Sequence, residues 1–198
     1  MIRLGISAEG ATEREFINRV LRPHLIQYNV TATAIDMRGN VSLDKIRGVL
    51  PALLGSCDRV STLYDFYGFK GREQRTAEQL EAAISGLISP DQQRRLIPYI
   101  QLYEFETLLF AVPEQTVEWM QAEQTALKAM QEAVQRAGSA ERVNDRLETS
   151  PSHRIKVLFS DYDKKLHGPE IVELAGLAAI RAKCPRFNKW IEKLEQLA

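Results

Sequence analysis

The first half of the chain alternates between strand-like and helix-like patterns, and this alternation limits the possible fold more than any other feature. Four short segments rich in apolar or β-branched residues are predicted to be strands: residues 2–8, 30–37, 59–66 and 95–103. Thr12 and Glu15 predict a capping box at the first intervening helix, Ser42 begins the second, and a third is predicted at 77–88. This order of elements indicates an α/β fold with a mainly parallel four-stranded sheet flanked by helices.

The second half of the chain is mostly helical. Its predicted helices are residues 113–136, 141–147, 169–183 and 186–197. No segment between the two halves has the composition of a flexible linker. We therefore interpret the chain as a single domain, with an α/β core at 1–110 and a C-terminal helical extension at 111–198 that packs on this core.

Composition narrows the class of protein. Lys and Arg total 26 and Asp and Glu total 26, so net charge gives no support to broad nucleic-acid binding but leaves room for a local basic groove.

The two cysteines, Cys57 and Cys184, form no metal or disulfide pattern, so we expect reduced thiols in a cytoplasmic protein. The apolar start is too short for a signal peptide, and no stretch reaches the ~20 apolar residues of a membrane helix. No membrane association is expected.

Acidic residues follow three of the four predicted strands, where each strand ends. Glu9 and Glu13 come after the first strand, Asp65 lies at the end of the third, and Glu104 and Glu106 follow the fourth. Because the carboxyl ends of neighbouring parallel strands meet at one crevice, we expect these carboxylates to share one site. Such hard oxygen ligands suit Mg²⁺ or Mn²⁺, so the sequence predicts an acidic metal-binding pocket.

Each acidic motif also has a structural explanation when it is taken alone. Glu13 lies in a first helical turn, where the helix dipole stabilises a carboxylate. Asp65 begins the sequence Asp-Phe-Tyr-Gly, which is typical of a turn. Glu104 and Glu106 would point the same way on an extended segment, or would stabilise the start of a helix if the segment is helical. The combination of the three motifs favours the shared site over these separate explanations.

Basic residues near the acidic motifs are candidates for contacts with a phosphate-bearing ligand. Lys70 and Arg72 closely follow Asp65 in sequence, so we expect them at the rim of the acidic pocket, where they would offset phosphate charge. Gly10, between the two acidic residues that follow the first strand, would allow a sharp turn or a close approach of the ligand to the backbone.

A second polar cluster occupies residues 160–168. Lys164, Lys165 and His167 in this cluster are further candidates for phosphate contacts. The alternative is a solvated loop ahead of the next predicted helix, in which these side chains have no ligand.

Five longer motifs are spread through nearly the whole chain. They are Ser7-Ala-Glu-Gly-Ala-Thr-Glu13, Tyr64-Asp-Phe-Tyr-Gly-Phe69, Tyr103-Glu-Phe-Glu-Thr-Leu-Leu-Phe110, Tyr162-Asp-Lys-Lys-Leu-His-Gly168 and Ala182-Lys-Cys-Pro-Arg-Phe-Asn-Lys-Trp190. Together they resemble a bacterial domain-of-unknown-function family, number 4276. That family is related to the Toprim domains of topoisomerases, primases and overcoming-lysogenization-type nucleases, so the resemblance implies a Toprim-like fold.

The resemblance also implies roles for individual residues. Toprim domains pair a glutamate after the first strand, used in acid–base chemistry or metal binding, with an Asp-x-Asp motif after the third strand, which binds Mg²⁺. Glu9 matches the glutamate and Asp65 the first aspartate, but Tyr67 occupies the position of the second aspartate. Glu104 or Glu106 would have to supply the missing carboxylate. Without it, the fold would serve as a non-catalytic binding module.

Two functions are therefore expected from different classes. The first is metal-dependent cleavage or transfer at a phosphodiester of a nucleic acid, in a bacterial defence or mobile-element system. In this enzyme Glu9 and Glu13 are catalytic, and Asp65 and the later glutamates hold Mg²⁺ or Mn²⁺. The second is a catalytically inert adaptor that acts beside a partner ATPase. The neutral net charge and Tyr67 favour the adaptor.

Overall fold

The computed structural model describes residues 1–144 and 149–198. These residues form two compact units. The first unit consists of Met1–Gln101 and Trp190–Ala198, and the second of Leu102–Lys189. The arrangement of 1–110 and 111–198 as one domain stays a prediction.

The first unit contains a parallel sheet. Its strands are β1 (Ile2–Ala8), β2 (Val30–Asp36), β3 (Arg59–Asp65), β4 (Leu96–Ile97) and β5 (Ile100–Gln101). The strand order is β2-β1-β3-β4, and β5 pairs with β3 beyond β4. All of these pairs are parallel, and the last five residues of the central strand β1 are buried. The predicted α/β fold is confirmed.

The predicted fourth strand is interrupted, so its prediction as one strand over 95–103 is wrong in that respect. Pro98 has no backbone N–H and cannot continue the ladder. The Thr62 hydroxyl of β3 takes over the pairing, since it accepts the Tyr99 N–H at 2.8 Å and donates to the Tyr99 carbonyl at 2.9 Å.

Helices connect the strands of the first unit. They are α1 (Ala11–Phe16), a π-helical turn (Ile17–Leu21), α2 (Arg22–Ile26), α3 (Leu43–Ser56), α4 (Ala77–Ser85) and α5 (Pro90–Gln93). Ser42 caps α3 as predicted, because its hydroxyl accepts the Lys45 N–H. The capping box predicted at Thr12 and Glu15 is wrong: α1 begins two residues earlier than that box implies, with Gly10 as its N-cap.

The second unit is helical. Its elements are a 3₁₀ helix (Phe105–Ala111), α6 (Pro113–Trp119), α7 (Gln124–Ala137), a 3₁₀ turn (Ala140–Arg142), α8 (Pro151–Leu158), α9 (His167–Ala175), α10 (Leu177–Lys183) and the start of α11 (Pro185–Glu195). The prediction of one helix over 113–136 is wrong, since α6 and α7 are separate. Gly176, with φ +80°, divides the helix predicted at 169–183. The helix predicted at 141–147 falls partly on residues 145–148, which lie outside the described residues.

Across the two described segments, no helix is both long and apolar enough to span a membrane.

Candidate active site

The strand order of the sheet reverses at the carboxyl ends of β1 and β3. The chain leaves β1 for β2 on one side and then crosses to β3 on the other side of β1. In an open parallel sheet, a crevice forms where the strand order reverses in this way, and ligands bind there. Glu9 directly follows β1, and Asp65 is the last residue of β3. Two of the five predicted acidic residues, Glu9 and Asp65, therefore lie at this reversal point.

The backbone of Glu9 is fixed between the neighbouring strands. Its N–H donates to the Leu63 carbonyl of β3 at 3.0 Å, and its carbonyl accepts the Gly39 N–H beyond β2 at 2.8 Å. These bonds extend the parallel ladders by one residue past β1. The direction in which the Glu9 side chain leaves the sheet is thus set by both neighbours.

The Glu9 carboxylate contacts the segment that follows β3. Its Oε2 accepts the backbone N–H of Asp65 at 2.9 Å. A Cβ built on Gly68 would lie 2.1 Å from Glu9 Oε1 and 2.6 Å from Oε2, so the carboxylate occupies the space that a side chain at position 68 would need. Only glycine at this position is compatible with the observed carboxylate. The structure therefore brings Glu9 and the start of the Asp65–Gly68 turn together.

Asp65 and its neighbour Tyr64 are buried. Asp65 is 4% exposed, and the neighbouring Tyr64 is 1% exposed. Burial raises the pKa of the Tyr64 hydroxyl, and the negative charge of Glu9 raises it further, although the hydrogen bond to the Ser7 hydroxyl at 2.7 Å acts in the opposite direction. Tyr64 therefore stays neutral over the physiological pH range and serves as a hydrogen-bond donor beside the acidic residues.

Glu13 makes the contact expected from its structural explanation. It is 3% exposed, and its carboxylate accepts the Gly10 N–H at 2.9 Å, which satisfies a donor at the start of α1. The backbone at Gly10 is extended, with φ −158°, so the glycine is not needed for a sharp turn. The catalytic role of Glu13 and a close approach of ligand at Gly10 stay predictions.

Glu104 and Glu106 belong to the second unit. The segment begins a 3₁₀ helix and is not an extended strand, so the helix-start alternative is the correct one. Both Glu104 oxygens are engaged at the start of α8, since Oε2 accepts the Ser152 N–H and Oε1 the Ser152 hydroxyl, each at 2.8 Å. Glu106 is fully buried. Their role as metal ligands together with Asp65 stays a prediction.

Of the basic candidates, Arg72 has the more defined position. Its guanidinium lies over the rings of Phe66 and Tyr67, with Cζ 4.9 Å and 5.2 Å from the two ring centroids. These are the two residues directly after Asp65. Lys70 is exposed, while its backbone N–H donates to the Val41 carbonyl at 2.7 Å. Sequence reasoning missed the aromatic support of Arg72, because no local pattern links a guanidinium to rings five and six residues earlier.

The basic residues of the second polar cluster lie in the second unit. Lys164 and Lys165 are exposed. The Nδ1 atom of His167 accepts the Asp163 N–H at 3.1 Å, and an Asp163 carboxylate oxygen accepts the Lys165 N–H at 2.8 Å. Residues 163–167 thus form a turn closed by its own hydrogen bonds, as the solvated-loop alternative requires. Phosphate contacts by Lys164, Lys165 and His167 stay predictions.

One positively charged residue near the crevice escaped sequence analysis. Lys45 of α3 donates from Nζ to the carbonyls of Met37 and Gly39, at 2.6 and 2.7 Å. It thereby holds a loop in which Arg38, Gly39 and Asn40 are all left-handed, with φ of 57°, 72° and 51°. This loop presents the Gly39 N–H to the Glu9 carbonyl. The amphipathic pattern of α3 gave no signal for this role.

Similarity to known proteins agrees with this architecture. Residues 8–195 match the family described as Domain of unknown function (DUF4276), and the chain belongs to that family. The C-terminal region of the Xanthomonas campestris pv. campestris OLD protein has a similar structure, with TM-score 0.50 and 15% identity over 97% of this chain and 93% of that one. A second structure of that region has TM-score 0.36 at 15% identity and covers 96% of each chain. At this identity the likeness shows a common fold alone. No curated protein matches the chain.

Proposed function

We propose that this chain is a Toprim-like, metal-dependent protein that cleaves or transfers a phosphodiester in a nucleic acid, within a bacterial defence or mobile-element system. One observation carries the proposal. Glu9 and Asp65 meet at the carboxyl ends of the adjacent parallel strands β1 and β3, where the Asp65 N–H binds the Glu9 carboxylate. This is the crevice in which ligands of open parallel sheets bind.

The few carboxylates at this crevice suit Mg²⁺ better than they suit a cation that takes all its ligands from the protein. Mg²⁺ usually keeps several waters and takes one or two carboxylates together with substrate phosphates. Asp65 would hold the ion, and Glu9 lies beside it. No group of three or more His, Cys, Asp or Glu side chains within the described residues is arranged to hold a metal. A bound Mg²⁺ or Mn²⁺ would stabilise charge on the phosphoryl oxygens and lower the pKa of a bound water.

Glu9 would move the proton. One of its oxygens is oriented by the Asp65 N–H, and its backbone is fixed on both sides by the strand ladders. A carboxylate held in this way can accept a proton from an attacking water or return one to a leaving oxygen. Glu13, already bound to the Gly10 N–H, is the weaker catalytic candidate.

Arg72 would bind the phosphate. Contact with the Phe66 and Tyr67 rings holds its guanidinium against the segment that follows Asp65, and the N–H groups of a guanidinium match the oxygens of a phosphate. In the described part of the chain Arg72 makes no ion pair with a carboxylate. Tyr67 has no carboxylate for a metal, yet its ring contacts the positive charge of Arg72. The aromatic residue at this position therefore remains compatible with phosphate chemistry.

The test is a cleavage assay with purified full-length protein on plasmid, single-stranded DNA and RNA, with Mg²⁺, Mn²⁺ or EDTA. We expect cleavage with metal that EDTA abolishes. Asp65→Asn and Glu9→Gln should each reduce the rate by a factor of about 10² or more, since each removes a group that acts in the transition state. The matched control is Asp44→Asn, which removes a carboxylate that is 90% exposed and should leave the rate unchanged.

The second candidate is an inert adaptor that acts beside a partner ATPase. Tyr67 at the position of the second Toprim aspartate favours it, because a phenol is a poor substitute for a carboxylate toward Mg²⁺. The adaptor predicts no cleavage of any substrate with either metal. It also predicts that Asp65→Asn leaves the binding of a partner ATPase unchanged, measured by co-purification from cells that express both proteins.

A further inference from the structure

The second unit contains a cavity of about 290 Å³ that the proposed function does not use. It lies between α7 and α8. Its volume is at the lower end of the ~300–1,000 Å³ range that is usual for small-molecule sites. It thus has room for a small molecule.

Part of the cavity wall is apolar. Phe110 and Ala133, which are 1% and 6% exposed, line its buried part. Val157 and Leu158 of α8 extend the apolar lining, and Val157 is 70% exposed. Such a wall favours a ligand with an apolar or aromatic body, because contact with it removes apolar surface from water.

Three basic residues also line the cavity. Arg136 of α7 and His153 and Arg154 of α8 line the same cavity, and no Asp or Glu is among its described lining residues. The Nε of Arg154 donates to the Thr149 carbonyl at 2.7 Å, which orients this guanidinium. Within the described segments Arg136 makes no ion pair. Two guanidinium groups that line one cleft attract an anion.

We propose that this cavity binds a small organic anion, with a carboxylate, sulfonate or phosphate group attached to a compact apolar body. The anionic group contacts Arg136 and Arg154, since guanidinium groups match the geometry of such oxyanions. The apolar body lies against Phe110 and Val157. This site is distinct from the carboxylates of the first unit, and the proposal does not depend on phosphodiester chemistry there.

The test uses the aromatic sulfonate 8-anilinonaphthalene-1-sulfonate, titrated by fluorescence into the full-length protein. We expect saturable binding at one site. Arg136→Ala should weaken it about 5- to 20-fold, because a charge-assisted hydrogen bond is lost. Ala129→Leu, which places a larger side chain in the cavity lining, should abolish it. Lys128→Ala is the matched control on the same helix, with an exposed side chain outside the lining, and should bind like wild type.

Two results would overturn the proposal. One is unsaturable binding, and the other is wild-type affinity in Arg136→Ala with circular dichroism that shows a folded protein. Arg136 is exposed, so its replacement keeps the test valid even if Ala129→Leu fails to fold.

Benzenesulfonate should displace the probe at lower concentration than inorganic phosphate does. Equal displacement by the two would make this a site for simple anions and would refute the apolar part of the assignment.

Discussion

Gly68→Ala tests whether the Glu9 carboxylate has the position described above. The three atoms nearest to the added Cβ all belong to Glu9, at 2.1, 2.6 and 2.7 Å. Optimal contacts between non-bonded carbon atoms lie near ~3.5 Å, so the side chain or the turn must move by more than about 1 Å. Gly68 is not among the glycines with positive φ, so conformational strain does not contribute. The cost should come from the clash with Glu9 alone.

The magnitude follows from two opposing effects. Moving the flexible Glu9 side chain relieves the clash but breaks its hydrogen bond to the Asp65 N–H, and a hydrogen bond to a charged group contributes about 1.5–3 kcal/mol to the free energy of unfolding. Replacing glycine by alanine where the backbone is compatible stabilises by about 0.4–1 kcal/mol through the unfolded state. In the wild-type background the lost hydrogen bond outweighs this gain, so Gly68→Ala should destabilise the protein by roughly 1–2 kcal/mol. In a Glu9→Ala background the clash is absent, so the same change should be neutral or stabilising.

The assay is a double-mutant cycle by urea unfolding. Trp190 belongs to the first unit, where it stacks on Tyr99 with ring centroids 4.6 Å apart. In a Trp119→Phe background its fluorescence reports the unfolding of that unit, because the chain has only two tryptophans. The coupling free energy between positions 9 and 68 should be at least about 1 kcal/mol.

The control for the cycle is another glycine in the same unit. A Cβ on Gly48 of α3 would meet no atom within 4 Å, so Gly48→Ala should stabilise by about 0.5–1 kcal/mol and show no coupling to Glu9. An equal cost of Gly68→Ala with and without the Glu9 side chain would refute the reasoning. So would wild-type stability of the single variant.

Two further predictions concern metal binding and the thiols. Mg²⁺ should raise the melting temperature, because metal bound to the folded state adds about 2.7 kcal/mol to the free energy of unfolding at a concentration 100 times Kd. Asp65→Ala should remove this response. An unchanged melting temperature over a wide range of metal concentration would favour the adaptor. Ellman's reagent at pH 8 should modify half-buried Cys57 and should modify fully buried Cys184 only after denaturant exposes it. Burial and the charge of Glu141 both raise the pKa of the Cys184 thiol, so little reactive thiolate forms there in the native protein. Equal reaction rates of both thiols in the native protein would contradict the burial of Cys184.

The fold was predictable to the extent that local pattern determines it. The apolar and β-branched runs of β1, β2 and β3 have the composition of buried parallel strands, and their bounds differ from the prediction by at most one residue. The interruption between β4 and β5 follows from Pro98, a signal that the sequence contains. The contact that replaces the lost ladder bond comes from the Thr62 hydroxyl, 37 residues away, and no local pattern contains it.

The same limit applies to the acidic residues. Glu9 and Asp65 could be placed at one edge of the sheet because strand ends are visible in the sequence and parallel pairing aligns them. The partner of Glu104 is Ser152, 48 residues later, and a strand-end pattern cannot distinguish a carboxylate that caps a distant helix from one that binds a ligand. The burial of Glu106 likewise depends on the whole packing of its unit.

A single short segment, residues 65–72, sets both the acidic and the basic side of the candidate site. Its first N–H binds Glu9, the absence of a side chain at Gly68 leaves room for that carboxylate, and its aromatic pair supports Arg72. A chain with this fold and a larger residue at position 68 could not keep the glutamate in the same place. Under the proposed function, glycine at 68 together with an arginine on the aromatic pair is a stricter criterion than the acidic residues alone, because a carboxylate near a predicted strand end can instead bind the start of a helix, as Glu104 does.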